Sequence, residues 1–332
     1  MRIGLYSRPM PSFAPKPRSI IAHMHVLIPF ASGHGEAASH VLHDLALPAL
    51  TRLLQRLRPT LRHHGTESTL SAPHESALAS AWGWPVVDGA LAFAAHAAAS
   101  DGVDVGDRAW GLLTPAHWGA GREHVTMADP AALALDATES RALFDAVRPL
   151  FDSEGFMLAW GAPLRWYAAH PSLSGLPCAS LDRVIGRNID AWIAKTPQVR
   201  LLRRIQSEVQ LLLYTHPLNQ EREDRGALPV NSFWLSGCGV YRPPAGPRID
   251  VIDVLREPML GNDWAAWAEA WHEIDAGPIA DLLQRSEAGA DVTLTLCGER
   301  HAQTYSSHGR PLWARIAARW RSPHVSHTLE AL

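Results

Sequence analysis

Between residues 107 and 243 the chain alternates strand and helix patterns in the order β, α, β, β, α, β, and few architectures accept that order. The strands are "RAWGLLTPAHW" or "EHVTM", "FMLAW", "LRWYA" and "NSFWLSG". The helices start near Thr138, where Asp136 and Glu139 have capping-box spacing, and at Gln198. From Gln198 to Tyr214, Val199, Leu202, Ile205, Val209, Leu212 and Leu213 share one helical face, which predicts a helix laid on a sheet. The order predicts a split βαβ unit.

The flanking sequence predicts a second unit that this one interrupts. "HVLIPF" after Met24 reads as a buried strand, and "LALPALTRLLQRL" places Leu47, Leu50, Leu53, Leu54 and Leu57 on one helical face. "PHESALASAWGW" begins a helix with Pro73 in its first turn, and the alanine-rich "GALAFAAHAAA" predicts a closely packed one. The polar, glycine-containing "SDGVDVGD" marks a boundary. Beyond "YRPPAGPR" come strand "IDVIDVL", helices within 263–285, strand "DVTLTLCG" and a helix from Pro311 to Trp320. The expected division is 24–106 with 244–322 as one α/β domain, 107–243 as an inserted α+β domain, and 323–332 as a tail. Residues 1–23, proline-rich and aperiodic, are expected to add nothing to the core or to precede a start at Met24.

Composition excludes several functions. Of the 332 residues, 47% are hydrophobic and 19% charged, enough apolar material for a packed core. No apolar run approaches the length of a membrane span. With 30 basic and 33 acidic residues the chain has no excess to neutralise a phosphate backbone, so neither nucleic acid nor membrane is the expected partner. Cys178, Cys238 and Cys297 are far apart in sequence, give no disulfide framework or zinc spacing, and fit a reducing cytoplasm.

The richest polar segment is "HPLNQEREDRGALPVNSFWLSGCG", residues 216–239. His216, Asn219, Arg222, Arg225, Asn231, Ser232 and Trp234 are candidate ligand-binding residues. Arginine forks and amide donors suit a carboxylate or phosphate, and Gly237 and Gly239 admit close backbone. The competing reading is a helix end and loop whose charges pair with one another. His117, just after an apolar strand, is a further ligand candidate. Arg183, Arg187 and Asn188 in "SLDRVIGRNIDAW" read as a solvated helix face, and Trp264, Trp267 and Trp271 as core or an interface stripe.

The segment resembles the archaeal-type, cofactor-independent phosphoglycerate mutases of the alkaline phosphatase superfamily. It matches "HPxNxxR", "PxN" and "WxxGxG" at His216, Pro217, Asn219, Arg222, Gly226, Pro229, Asn231, Trp234, Gly237 and Gly239. "RRIQSEVQLLLYTHPLNQEREDRG" more narrowly resembles proteobacterial RpfE-type regulatory or phosphoglycerate-mutase-like proteins. The resemblance implies an alkaline-phosphatase-like mixed-sheet domain with a ferredoxin-like insertion. It also implies a serine nucleophile and two divalent metals, the first held by an aspartate ending the first strand and others by an aspartate-histidine pair.

Here that strand ends Phe30, Ala31, Ser32, and "CGERH" puts Arg300 before His301. The catalytic candidates reduce to Ser32, His34 and His301, and the metal candidates to His25, His34, His40 and His43. The reading is a mutase-like protein with a degenerate metal centre, without cofactor, binding a small phosphorylated or carboxylate anion or a protein partner. The alternative is an active mutase or phosphohydrolase with a rearranged site and a divalent metal.

Overall fold

A computed structural model describes residues 24–121, 124–193, 199–308 and 324–332. The expectations for residues 1–23 and for the Pro311–Trp320 helix lie outside these residues. Two main sheets organise the chain. The first contains β1 (Met24–Ile28), β2 (Arg58–His64), β9 (Ile249–Val251), β10 (Val292–Cys297) and β11 (His301–Ser306), in the order β2-β11-β10-β1-β9. β1 runs parallel to both β9 and β10, whereas β11 is antiparallel to β10 and β2.

Strand alternation assigns the two faces of this sheet. Val26, Ile28, Leu294 and Leu296 meet the leucines of α2 (Pro48–Arg56), together with Trp267 and Trp271 of α10 (Trp264–Ile274) and Leu282 and Leu283 of α11 (Ala280–Glu287). α1 (Glu36–Asp44) joins this layer through Leu42. A π-helical turn, Asp275–Ile279, links α10 to α11, and its buried Asp275 accepts from the α2 backbone at Ala49 N (3.1 Å) and Leu50 N (2.7 Å). These amides at the start of α2 lack intrahelical partners, so Asp275 supplies them. Leu27 and Cys297 face the other way, towards Ala77 of α3 (Pro73–Ala81).

Residues 324–332, expected as a tail, instead contain helix α12 (Val325–Glu330). Val325, Leu329 and Leu332 are buried in the larger core. The apolar spacing 325, 329, 332 puts all three on one helical side, which makes burial favourable.

The second sheet has the order β6-β7-β3-β8, all neighbours antiparallel, from β3 (Ala109–Ala116), β6 (Met157–Ala162), β7 (Arg165–Ala169) and β8 (Ser232–Val240). With α5 (Ala137–Asp152) and α7 (Val199–Tyr214) as crossovers, this is the split βαβ arrangement with ferredoxin-like strand order. Asp136 caps α5 by accepting from Glu139 N at 2.8 Å. The "EHVTM" segment instead supplies β5 (Val125–Met127), which forms a separate hairpin with β4 (Trp118–Ala120).

α4 (Phe93–Ser100) packs Ala94, Ala95 and Ala98 on the opposite face of the second sheet, as its alanines predict. Gly237 and Gly239 serve this contact and not a ligand. A Cβ at Gly237 would come within 2.8 Å of Ala94 N, and one at Gly239 within 2.7 Å of Ala92 Cβ. The molecule is therefore a mixed α/β protein in which the chain leaves one sheet, builds a second, and returns.

Candidate functional site

In open α/β sheets ligands bind beyond the carboxyl ends of the parallel strands. Here the ends of β1 and β10 open onto a cleft of about 300 Å3 between the two sheets. Phe30 and His34 follow β1, His74 lies in the first turn of α3, and Gly298 and Glu299 follow β10. Across the cleft stand Asp182, Arg183 and Arg187, from α6 (Leu181–Val184) and the turn after it, with Asn262 and Trp264 from the start of α10. Phe30 holds φ 56°, a left-handed conformation costly for a bulky residue, at the point where the chain leaves the strand.

A buried charge network forms one wall. His74 Nε2 lies 3.4 Å from Asp182 Oδ2, and Arg256 of α9 (Arg256–Leu260) reaches Asp182 Oδ1 at 2.7 Å and Asp129 Oδ2 at 3.3 Å. Burial by itself lowers the His74 pKa, but the hydrogen bond and charge of Asp182, with the charge of Glu75, outweigh it and leave it raised. The Asp182 carboxyl is correspondingly held low: desolvation opposes this, and His74 and Arg256 prevail. Glu75 is raised, chiefly by burial, and accepts from Ser180 Oγ at 2.9 Å. His74 thus lines the cleft, with Nδ1 engaged by no described residue.

The opposite wall overturns the reading of 181–188 as a solvated helix face. Arg183 is buried and donates to four backbone carbonyls: Thr66 (2.7 Å), Glu67 (2.8 Å), Thr69 (3.0 Å) and Glu299 (3.0 Å). It fastens the loop after β2 and the β10–β11 turn to α6, so it ties the two sheets together. Burial first, then the charge of Arg187, lowers its pKa. Arg187 donates to Glu299 Oε1 at 2.5 Å, and its remaining guanidinium protons have no described partner. Glu299 also accepts from His34 N at 3.3 Å.

The segment 216–234 is a brace. α7 ends at Tyr214 and a separate helix, α8 (Pro217–Asp224), begins, with His216 Nδ1 accepting from Leu218 N at 3.2 Å. Asn219 Nδ2 donates to Leu213 O (2.8 Å) and Val230 O (2.7 Å), and its Oδ1 accepts from Val230 N (2.9 Å). Arg222, fully buried, donates to Glu139 Oε2 (2.5 Å), Leu228 O (2.9 Å) and Leu133 O, and Arg225 pairs with the other Glu139 oxygen.

Asn231 bridges Trp118 N and O (2.8 and 2.9 Å), His117 Nδ1 contacts Pro229 O (2.8 Å), and Ser232 Oγ accepts from Gln210 Nε2. Trp234 Nε1 donates to Ala179 O at 2.9 Å. None of these residues lines the cleft, and Asn219, Arg222 and Asn231 hold the backbone carbonyls and the carboxylate named above. His216 caps α8 while Asn219 and Arg222 lie within it, and the three hold different partners.

Of the catalytic candidates, Ser32 and His34 follow β1 and His301 opens β11. Ser32 Oγ is buried without a hydrogen-bond partner, and His34 is exposed and reaches the cleft rim. His301 opens β11 beside His64, ring centroids 5.2 Å apart, and accepts from Gly65 N at 3.3 Å. Its pKa is lowered by burial and by Arg62 and His64. Of the metal candidates, buried His25 bonds Thr295 Oγ1 at 2.8 Å, while His40 and His43 are exposed on α1. Among the described residues no three His, Cys, Asp or Glu side chains converge as metal ligands, so the residues at the end of β1 do not fit the two-metal centre of the mutases. No described helix is long and apolar enough to cross a membrane.

No protein-family model matches the chain, and no curated protein does. Among solved structures it is similar to the cofactor-independent phosphoglycerate mutase from Thermoplasma acidophilum DSM 1728, with 16% identity and a TM-score of 0.36 over 93% of this chain and 99% of that one. It is also similar to the PH0037 protein from Pyrococcus horikoshii, with 11% identity and a TM-score of 0.41 over 86% and 87%. Neither likeness assigns a role to a residue of the cleft.

Proposed function

We propose that this chain is a phosphoglycerate-mutase-like protein of alkaline-phosphatase type, divided as 24–106 with 244–322 around an inserted 107–243. In this reading it has lost metal-dependent phosphoryl transfer and keeps a cleft for a small phosphorylated or carboxylate anion. Its role is regulatory, as in the RpfE-type proteins that its sequence resembles. The observation that carries the reading is the cleft wall, where His74, its pKa raised by Asp182 and Glu75, and the open side of Arg187 face a space of about 300 Å3. Both are suited to charge-assisted hydrogen bonds with an oxyanion. Glu299 occupies Arg187 in the free protein, so an anion competes with that carboxylate.

Thermal-shift titration with 3-phosphoglycerate, inorganic phosphate and acetate tests this. A rise in Tm that saturates with 3-phosphoglycerate and disappears in Arg187→Ala supports the reading. No shift with any of the three removes it.

A further inference from the structure

Cys178 and Cys238 are 60 positions apart, yet their Sγ atoms lie 3.6 Å apart. Cys238 is buried in β8, and Cys178 is half-buried on the segment entering α6, where it lines a shallow apolar pocket of about 60 Å3 with Leu176, Trp192 and Phe233. The backbone on both sides is fixed. Cys178 N donates to Gly89 O at 2.9 Å, Ser180 N to Leu70 O at 2.9 Å, and Trp234 Nε1 to Ala179 O at 2.9 Å. Gly111 on the adjoining strand keeps the space, since a Cβ there would come within 3.1 Å of Cys238 Sγ. A sulfur–sulfur bond is about 2.05 Å long, so the two sulfurs at 3.6 Å are near neighbours that must approach further to bond.

We propose that Cys178 and Cys238 form a reversible intrachain disulfide, a redox-responsive site that fastens the segment leading to Asp182 and Arg187 onto β8. With a peroxide as oxidant, the Cys178 thiolate attacks one peroxide oxygen, giving a sulfenic acid and releasing hydroxide. The Cys238 sulfur then attacks the Cys178 sulfur, and the sulfenic oxygen leaves as water. In sum two thiols lose two electrons and two protons, and one hydrogen peroxide becomes two waters.

The order follows from exposure: Cys178 borders the pocket, whereas Cys238 is enclosed and its thiol is held high by its hydrogen bond to Cys178 and by burial. Cys297, buried in β10 with its thiol also pushed up by burial, is an internal control.

The test treats the reduced full-length chain with hydrogen peroxide and counts thiols in denaturant, followed by non-reducing peptide mapping. The expected result is loss of two of the three thiols, a 178–238 cross-linked peptide in a monomeric band, and reversal by dithiothreitol. Closing a loop of roughly 60 residues raises Tm by about 5 °C or more. Cys178→Ser abolishes all of these, and Cys297→Ser, which starts with two thiols, loses both and keeps the cross-linked peptide, its reversal and the rise in Tm. Three persistent thiols, a sulfinic acid at Cys178 without the cross-link, or cross-linking only between chains overturns the proposal. Mapping of the unsubstituted protein decides the matter even if Cys238→Ser fails to fold.

Discussion

Replacing Arg222 by alanine separates a structural brace from a ligand site. The guanidinium is fully buried and holds Glu139, Leu133 O and Leu228 O. Its removal leaves the buried Glu139 carboxylate with Arg225 alone and strands two carbonyls. Breaking a buried ion pair by deleting one partner costs about 3–5 kcal/mol, and each stranded buried acceptor about 1–3 kcal/mol. Some of this overlaps, because relaxation and water entry satisfy part of the lost bonding, so a total of about 4–6 kcal/mol is expected. At about 2 °C per kcal/mol for a large chain, Tm falls by about 8–12 °C in a calorimetric scan. Arg222→Met restores volume without the hydrogen bonds and recovers only a minor part. A Tm within about 2 °C of the parent, with binding of 3-phosphoglycerate lost, would refute the brace and return segment 216–234 to the ligand.

Three further outcomes follow from the same contacts. Arg187→Ala leaves Tm nearly unchanged, because the Arg187–Glu299 pair has side chains 37% and 28% exposed and contributes at most about 1 kcal/mol; a large Tm loss would mean the pair is structural. His74, flanked by Asp182, Glu75 and Arg256, has a pKa raised above 6.5, so its stabilisation is complete below 6.5 and is lost as pH rises through the higher folded value. Asp182, lowered below 3.8, contributes above 3.8 and loses that contribution as pH falls through its folded value, so both are complete between 3.8 and 6.5. Denaturant midpoints against pH should decline above this window, and His74→Gln should flatten the decline; an unchanged profile contradicts the pairing. Leu329→Ala costs about 2–5 kcal/mol if α12 is part of the core, whereas a loose tail predicts no change in the urea midpoint.

The crossover helices and strand order of the second sheet were legible in the sequence, because their apolar periods are long and their signals local. Leu202, Ile205, Val209 and Leu213 are buried on α7 as their spacing requires, and Asp136 caps α5. β2 escaped because "RPTLRHH" lies at a sheet edge and shows no buried alternation. The cleft was illegible for a different reason. Phe30, His74, Asp182 with Arg187, and Glu299 come from four separate segments, and His74 taken alone is just an early residue of a helix.

Arg183 looked solvated because its four carbonyl partners are more than a hundred positions away. The 216–239 motif was visible, but its contacts were not. Local pattern cannot distinguish an arginine that meets a ligand from one that meets Glu139, and its two glycines are explained by the approach of α4.

The central claim is a cleft that binds a phosphorylated acid without turning it over. Isothermal titration of 3-phosphoglycerate into the chelator-treated protein, with phosphorus NMR of the same sample before and after adding manganese, tests it most directly. The expected result is saturable binding with chelator present, weakened at least tenfold by Arg187→Ala, and an unchanged 3-phosphoglycerate signal with manganese. Manganese-dependent appearance of 2-phosphoglycerate or free phosphate, reversed by chelator, would contradict it.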